Sequence, residues 1–86
     1  MTHSINLRFF ASIREQLNMT SQSLELVEPR SVGLIRNELA ARGGPWERAL
    51  GSHQRVLAAL NQEVVDEQAL VQPGDELAFF PPVTGG

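Results

Sequence analysis

The sequence predicts an α+β domain, a mixed sheet with one main helix packed across it. Three observations carry that expectation. Apolar residues recur at period two near both ends of the chain, in Ile5, Leu7 and Phe9 and again in Leu77 and Phe79. Val32, Ile35, Leu39 and Ala40 recur instead at helical spacing. Turn chemistry, chiefly Gly43-Gly44 and Gln72-Pro73-Gly74-Asp75, separates the runs. The 86 residues form one domain, long enough to bury one modest core.

The elements follow in order. Ile5, Leu7 and Phe9 alternate with Asn6, Arg8 and Phe10 in a half-buried strand, which leaves Phe10 as an aromatic on the polar face. Ile13 and Leu17 share one face of a short helix over 11–17, with Arg14, Glu15 and Gln16 between them. After a turn-like 18–21, residues 23–27 form a second strand with Leu24 and Leu26 on one face. The direction in which these two strands pair is not readable. Glu28-Pro29-Arg30 breaks the second strand, and Ser31 is a good N-cap for the main helix, expected over 31–42. Gly33 weakens the first turn of that helix, and Gly43-Gly44 ends it.

Pro45 opens one further helical turn, in which Trp46 serves as a packing cap over the helix end. In 55–61, Val56, Ala58 and Leu60 oppose Leu57 and Ala59; both faces are apolar, which predicts a strand central in the sheet. A turn at 61–63, a short strand at Val64-Val65 and a return to the core at 69–71 come next. The Pro73-Gly74 turn then leads into the last strand, 76–80, with Leu77 and Phe79 on one face and Glu76, Ala78 and Phe80 on the other.

The sequence ends Phe79-Phe80-Pro81-Pro82-Val83-Thr84-Gly85-Gly86. Proline lacks an N–H, so Pro81-Pro82 cannot continue a ladder and leaves the sheet as a stiff, extended segment. Glycine has no Cβ, so Gly85 and Gly86 fit a passage too narrow for any other residue. Chain ends are often frayed and rich in small residues without purpose. Aromatic pair, proline pair and diglycine together point instead to a working arm. The expected organisation is a domain over 1–80 and a flexible tail over 81–86 that reaches roughly 20 Å. Its terminal carboxylate, once activated as an acyl-adenylate, is open to attack by sulfur or another nucleophile.

Composition narrows the function classes. The chain has no cysteine, which excludes a disulfide framework, a thiolate metal site and a cysteine nucleophile. No apolar run has the length of a membrane span and the N-terminus lacks a signal-peptide core, so the chain is read as cytoplasmic. Net charge is -3 and the seven basic residues are scattered, which argues against nucleic acid. All seven are arginine. Genomic bias accounts for the missing lysines, as does a need to keep amines away from an activated C-terminus. His3 and His53 stand alone without ligand spacing, and Gly43-Gly44 follows a helix where a phosphate loop would follow a strand. Asp66-Glu67 and Asp75-Glu76 read as solvated loop acids. No constellation for catalysis by the chain alone is present.

Three stretches together carry a resemblance. Arg8-Phe9-Phe10-Ala11 with Arg14-Glu15, Leu60-Asn61-Gln62, and Pro73 through Gly86 resemble the sulfur-carrier subunits of molybdopterin synthase, within the ubiquitin-like sulfur carriers. The likeness runs end to end and is most specific in the last fourteen residues. Gly33 departs from the family, which has an ordinary helix former there.

The resemblance implies a ubiquitin-like β-grasp fold. It also implies that an adenylyltransferase related to ubiquitin-activating enzymes spends ATP to adenylate Gly86. Sulfur then replaces the adenylate, giving a thiocarboxylate on Gly86. The tail, Pro81, Pro82, Val83 and Thr84 with Gly85 keeping its tip thin, enters the large synthase subunit. There it delivers sulfur to cyclic pyranopterin monophosphate, forming molybdopterin. No cofactor or metal is bound by the carrier itself, and the family assembly is a heterotetramer. Phe10, Val64 and Phe80, together with Arg14 of the first motif, are the expected partner interface, although each aromatic taken singly could simply cover a core edge. A sulfur carrier for thiazole synthesis or tRNA thiolation, and a ubiquitin-like modifier of lysines, share the Gly-Gly end and remain alternatives.

Overall fold

The strand alternation at the two ends of the sequence places the first and last strands side by side. The computed structural model describes residues 3–82; Val83, Thr84, Gly85 and Gly86, on which much of the tail reading rests, lie outside the described residues. β1 (Ser4–Phe9) runs parallel to β7 (Glu76–Phe80), with Leu7 beside Leu77 and Phe9 beside Phe79. β2 (Ser21–Glu25) lies antiparallel on the other side of β1, which supplies the pairing direction the sequence left open. β4 (Leu57–Leu60) and β5 (Glu63–Val65) complete a mixed five-stranded sheet in the order β2-β1-β7-β4-β5. A separate two-stranded sheet joins β3 (Arg30–Ser31) to β6 (Leu70–Val71).

One face of the main sheet carries the core. Ile5, Leu7, Phe9, Leu77 and Phe79 meet Val32, Ile35 and Leu39 of α2 (Val32–Ala40), while Ile13 and Leu17 of α1 (Ala11–Leu17) and Leu50 of α3 (Pro45–Leu50) close the ends. Each of these side chains is buried. Full burial of such a residue contributes about 1.5–3 kcal/mol, so this layer is the main favourable term. The expected α+β arrangement is present, a mixed sheet with α2 as the main helix; α1 and α3 are shorter additions.

Two expectations about the sheet need correction. The strand read as central, 55–61, is β4 and stands one place off centre; the centre belongs to β7. Leu57 and Ala59 lie on the outer face beside Phe80 and Ala78, where they are half-buried. The second strand also begins earlier than 23–27, at Ser21, because β1 recruits Ser21 and Gln22 opposite Arg8 and Leu7.

The main helix is shorter than 31–42. Ser31 caps it as expected, its Oγ accepting from the Leu34 N–H at 3.2 Å. It ends at Ala40. The following turn reaches Gly43, which holds φ +77 where a Cβ would be strained. Gly33 has a purpose the sequence did not disclose. Its N–H donates to the Glu67 carbonyl at 2.9 Å, and the Val32 N–H donates to Ala69 at 2.9 Å. The loop after β5 thus satisfies two of the donors every helix start leaves open. A Cβ on Gly33 would stand 3.3 Å from the Cβ of Glu67, tighter than side chains usually approach, so glycine admits the loop.

Trp46 packs as a cap. Its ring meets Phe9 edge-on at 5.8 Å between centroids, and Arg42 lies over its other surface at 4.5 Å. Arg36 is the one charged residue buried in the described core.

Candidate functional site

The arm leaves from the middle of the sheet. β7 is hydrogen-bonded on both sides, so its C-terminal end is fixed by two neighbours. The Phe10 N–H donates to the Phe79 carbonyl at 3.2 Å, one step beyond the parallel ladder. On the other side Phe80 pairs with Leu57. Pro81 and Pro82 then leave the ladder, half-buried and outside any strand, as their missing N–H groups require.

The start of β7 is fixed by a polar lock. The Asn61 side chain accepts from the Glu76 N–H at 3.0 Å and donates to Asp75 Oδ1 at 3.2 Å. Asp75 Oδ2 in turn accepts from the Gln72 N–H at 2.8 Å. Asp75 was read as a solvated loop acid; it ties the Pro73-Gly74 turn to the β4–β5 turn. The signal was available, since an acidic side chain in a Pro-Gly turn is placed to accept from the turn's own backbone. Glu76 also has a partner, Arg8, at 3.8 Å. Of the other acid pair, Asp66 accepts from the Gln68 N–H at 2.8 Å and Glu67 binds Arg36 at 2.6 Å.

The outer face of the sheet divides in two. Over β2 and β1 it is polar, with Ser21, Ser23, Asn6 and Arg8. Over β7, β4 and β5 it is apolar. Val64 pairs with Ala59, Ala59 with Ala78, and Leu57 with Phe80, so these five residues project on one side. Val64 is 71% exposed and Phe10 42% exposed. Phe10 stands next to this surface with the Arg8 guanidinium 5.7 Å from its ring centroid. The structure therefore gathers Phe10, Val64 and Phe80 at one side of the sheet.

Two refinements follow. Phe80 lies on the outer face and is half-buried there, its strand having neighbours on both sides. Arg14 stands one helical turn from Phe10, its N–H donating to the Phe10 carbonyl at 3.4 Å. It is exposed on α1, whose Ile13 and Leu17 face the core, and it lines a shallow depression with Glu15, Asn18, Met19 and Thr20.

Among the described residues no cluster of His, Asp and Glu could hold a metal ion. No helix of the described residues is long and apolar enough to cross a membrane. The described residues present an apolar outer face beside Pro81 and Pro82.

Comparison with known proteins agrees with that geometry. A family model described as the ThiS family matches residues 7–86. Molybdopterin synthase sulfur carrier subunits of Haemophilus influenzae and Escherichia coli are each 39% identical over 82 residues, covering 95% of this chain and 99% of the relative. Among solved structures, SAMP1 from Haloferax volcanii superposes with a TM-score of 0.74 at 25% identity, covering 96% of this chain and 99% of that one. A complex of subunits 1 and 2 of the molybdopterin-converting factor from Helicobacter pylori contains a chain of the same fold, with a TM-score of 0.67, 23% identity, and coverage of 96% and 99%. The neighbours confirm the ubiquitin-like β-grasp architecture, and the chain belongs to the ThiS family, alongside the molybdopterin synthase sulfur carrier subunits.

Proposed function

We propose that this chain carries sulfur for molybdopterin synthesis on the carboxyl group of Gly86. The observation that carries the reading is its near-full-length identity to two molybdopterin synthase sulfur carrier subunits. The fold supports it, because Pro81 and Pro82 leave the ladder directly after the central strand, which is held by neighbours on both sides.

In this reading ATP, bound by an adenylyltransferase related to ubiquitin-activating enzymes, activates the Gly86 carboxylate as an acyl-adenylate. A sulfur nucleophile displaces the adenylate and leaves a thiocarboxylate. The arm then threads into the large synthase subunit, where the sulfur passes to cyclic pyranopterin monophosphate. Gly85 keeps the tip narrow, and the two prolines lower the entropy lost on threading. The apolar surface of Phe10, Val64 and Phe80 docks the two partners in turn. Cytoplasmic location and assembly with the large subunit as a heterotetramer belong to the same reading; the Helicobacter pylori complex of subunits 1 and 2 supports a large-subunit partner.

A second reading, conjugation to lysines as a modifier, is favoured by the likeness to SAMP1. One experiment separates them. The protein is recovered from cells that also express its activating enzyme and a sulfur source, alkylated with a thiol-selective reagent, and mapped by mass. Because the chain contains no cysteine, label on Gly86 identifies the thiocarboxylate. An unlabelled C-terminus together with amide-linked adducts of higher mass would replace the sulfur-carrier reading by the modifier.

A further inference from the structure

The register Leu60↔Glu63 leaves a two-residue turn, Asn61-Gln62, between β4 and β5, and both residues have positive φ, +50° and +74°. A turn of this shape favours Asn-Gly, because only glycine enters the left-handed region without steric cost. Asn61 is well suited to the first position, and its side chain is fully used in the lock on Asp75 and Glu76. Gln62 is not suited to the second. It is exposed, and among the described residues its amide has no hydrogen-bond partner. Its positive φ is what this two-residue turn requires, but glycine would hold the position at no steric cost.

The location of strain is informative. Among the described residues four non-glycine residues have positive φ: Ala11, Asn18, Asn61 and Gln62. Two are asparagines, the residue type that tolerates this conformation best after glycine. The remaining two flank the apolar outer face. Ala11 directly follows Phe10, and Gln62 comes two residues before Val64. A non-glycine residue held at positive φ is an outlier of the kind that gathers at functional sites.

We propose that Gln62 is a specificity contact to the large synthase subunit, its primary amide pairing with a polar group at the rim of the surface that receives Val64. A primary amide offers two donors and an acceptor, which suits recognition of a partner backbone peptide group. The inference rests on the proposed sulfur-carrier function.

The test is Gln62→Gly, with binding to the purified large subunit measured by calorimetry and stability by thermal melting. Glycine keeps the turn and relieves its strain, so Tm is expected to hold or to rise by a few degrees. Loss of the amide pair is expected to raise Kd about three- to tenfold. Val64→Arg on the same face serves as reference. If the wild-type chain binds the large subunit and Val64→Arg weakens it, while Gln62→Gly binds as wild type, the assignment of Gln62 is wrong and the docking surface stands. If Gln62→Gly lowers Tm, Gln62 serves the turn and the assignment is also wrong. If the wild-type chain does not bind the large subunit, the function proposed above fails first.

Discussion

Arg36, on α2, donates from its Nε to the carbonyl oxygen of Leu50, the last residue of α3, at 2.8 Å. The same guanidinium donates from Nη2 to Gly51 at 2.8 Å and Gln54 at 2.6 Å, and from Nη1 to Glu67 at 2.6 Å. One side chain thus ties the main helix to the end of α3, to the loop after it, and to the loop that caps the helix start through Gly33. Only arginine presents donors in a planar fork wide enough for four acceptors.

Replacing this residue tests the tie. Arg36→Met keeps much of the apolar stem and leaves the Leu50 and Gln54 carbonyls without this donor, while the Gly51 carbonyl keeps the Gln54 N–H at 2.9 Å. Each buried acceptor so stranded costs about 1–3 kcal/mol, and with partial access of water the total is about 3 kcal/mol. For a chain of this size that lowers Tm on the order of 15 °C. Arg36→Lys should rescue little, because an ammonium cannot reach acceptors lying in several directions. A Met variant that melts within two or three degrees of wild type would show that water replaces the guanidinium without penalty.

How much of this was legible beforehand depends on where the information sits. β1, α1, α3 and β7 were readable because each is specified by its own neighbours in sequence: alternation in Ile5-Leu7-Phe9, a proline at the start of α3, a turn before Glu76. The centre of the sheet was not. Whether a strand is apolar on both sides because it is buried, or because one side meets a partner, cannot be decided from Leu57 and Ala59 alone. Arg36 was equally hidden. Three of its four acceptors are backbone carbonyls up to eighteen residues away, and carbonyls have no identity in a sequence; the fourth, the Glu67 carboxylate, lies 31 residues on. Gly33 looked like a flaw because the loop that packs on it comes more than thirty residues later. At the site, Phe10, Val64 and Phe80 followed from strand parity and the resemblance. Arg14 came from the resemblance alone, since helical phase on α1 says nothing about its distance from the sheet's outer face; the structure sets its backbone against the Phe10 carbonyl.

The docking surface makes its own prediction. Val64 sits on an edge strand, 71% exposed, so Val64→Arg removes almost no packing and should shift stability by less than about 0.5 kcal/mol. Binding to the large subunit should fall at least tenfold, because a charge is then placed at the centre of an apolar contact. Phe80→Arg should also abolish binding but, being half-buried opposite Leu57, should cost about 1 kcal/mol of stability as well. Calorimetric binding and melting curves of the two variants give both numbers. Equal stability losses would place Val64 in a packed environment that the fold does not provide.

The strictest demand falls on the last residue. Adenylation needs a free carboxylate, and an amide at the same carbon offers no comparable nucleophile. Appending a single alanine after Gly86 therefore moves the reactive group to a residue with a Cβ and displaces it along the threading path by about 3.5 Å. Effective catalysis tolerates misplacement of about 1 Å only with large losses, so sulfur transfer should become undetectable. Deleting Gly86 should have the same effect by falling short. Neither change touches the core, which ends with Phe79 in β7, so melting temperature should be unchanged within error. The readouts are thiol-selective labelling of the C-terminus and molybdopterin formed with the large subunit. Should the extended chain label and transfer sulfur like the wild type, the reactive group lies somewhere other than the Gly86 carboxyl.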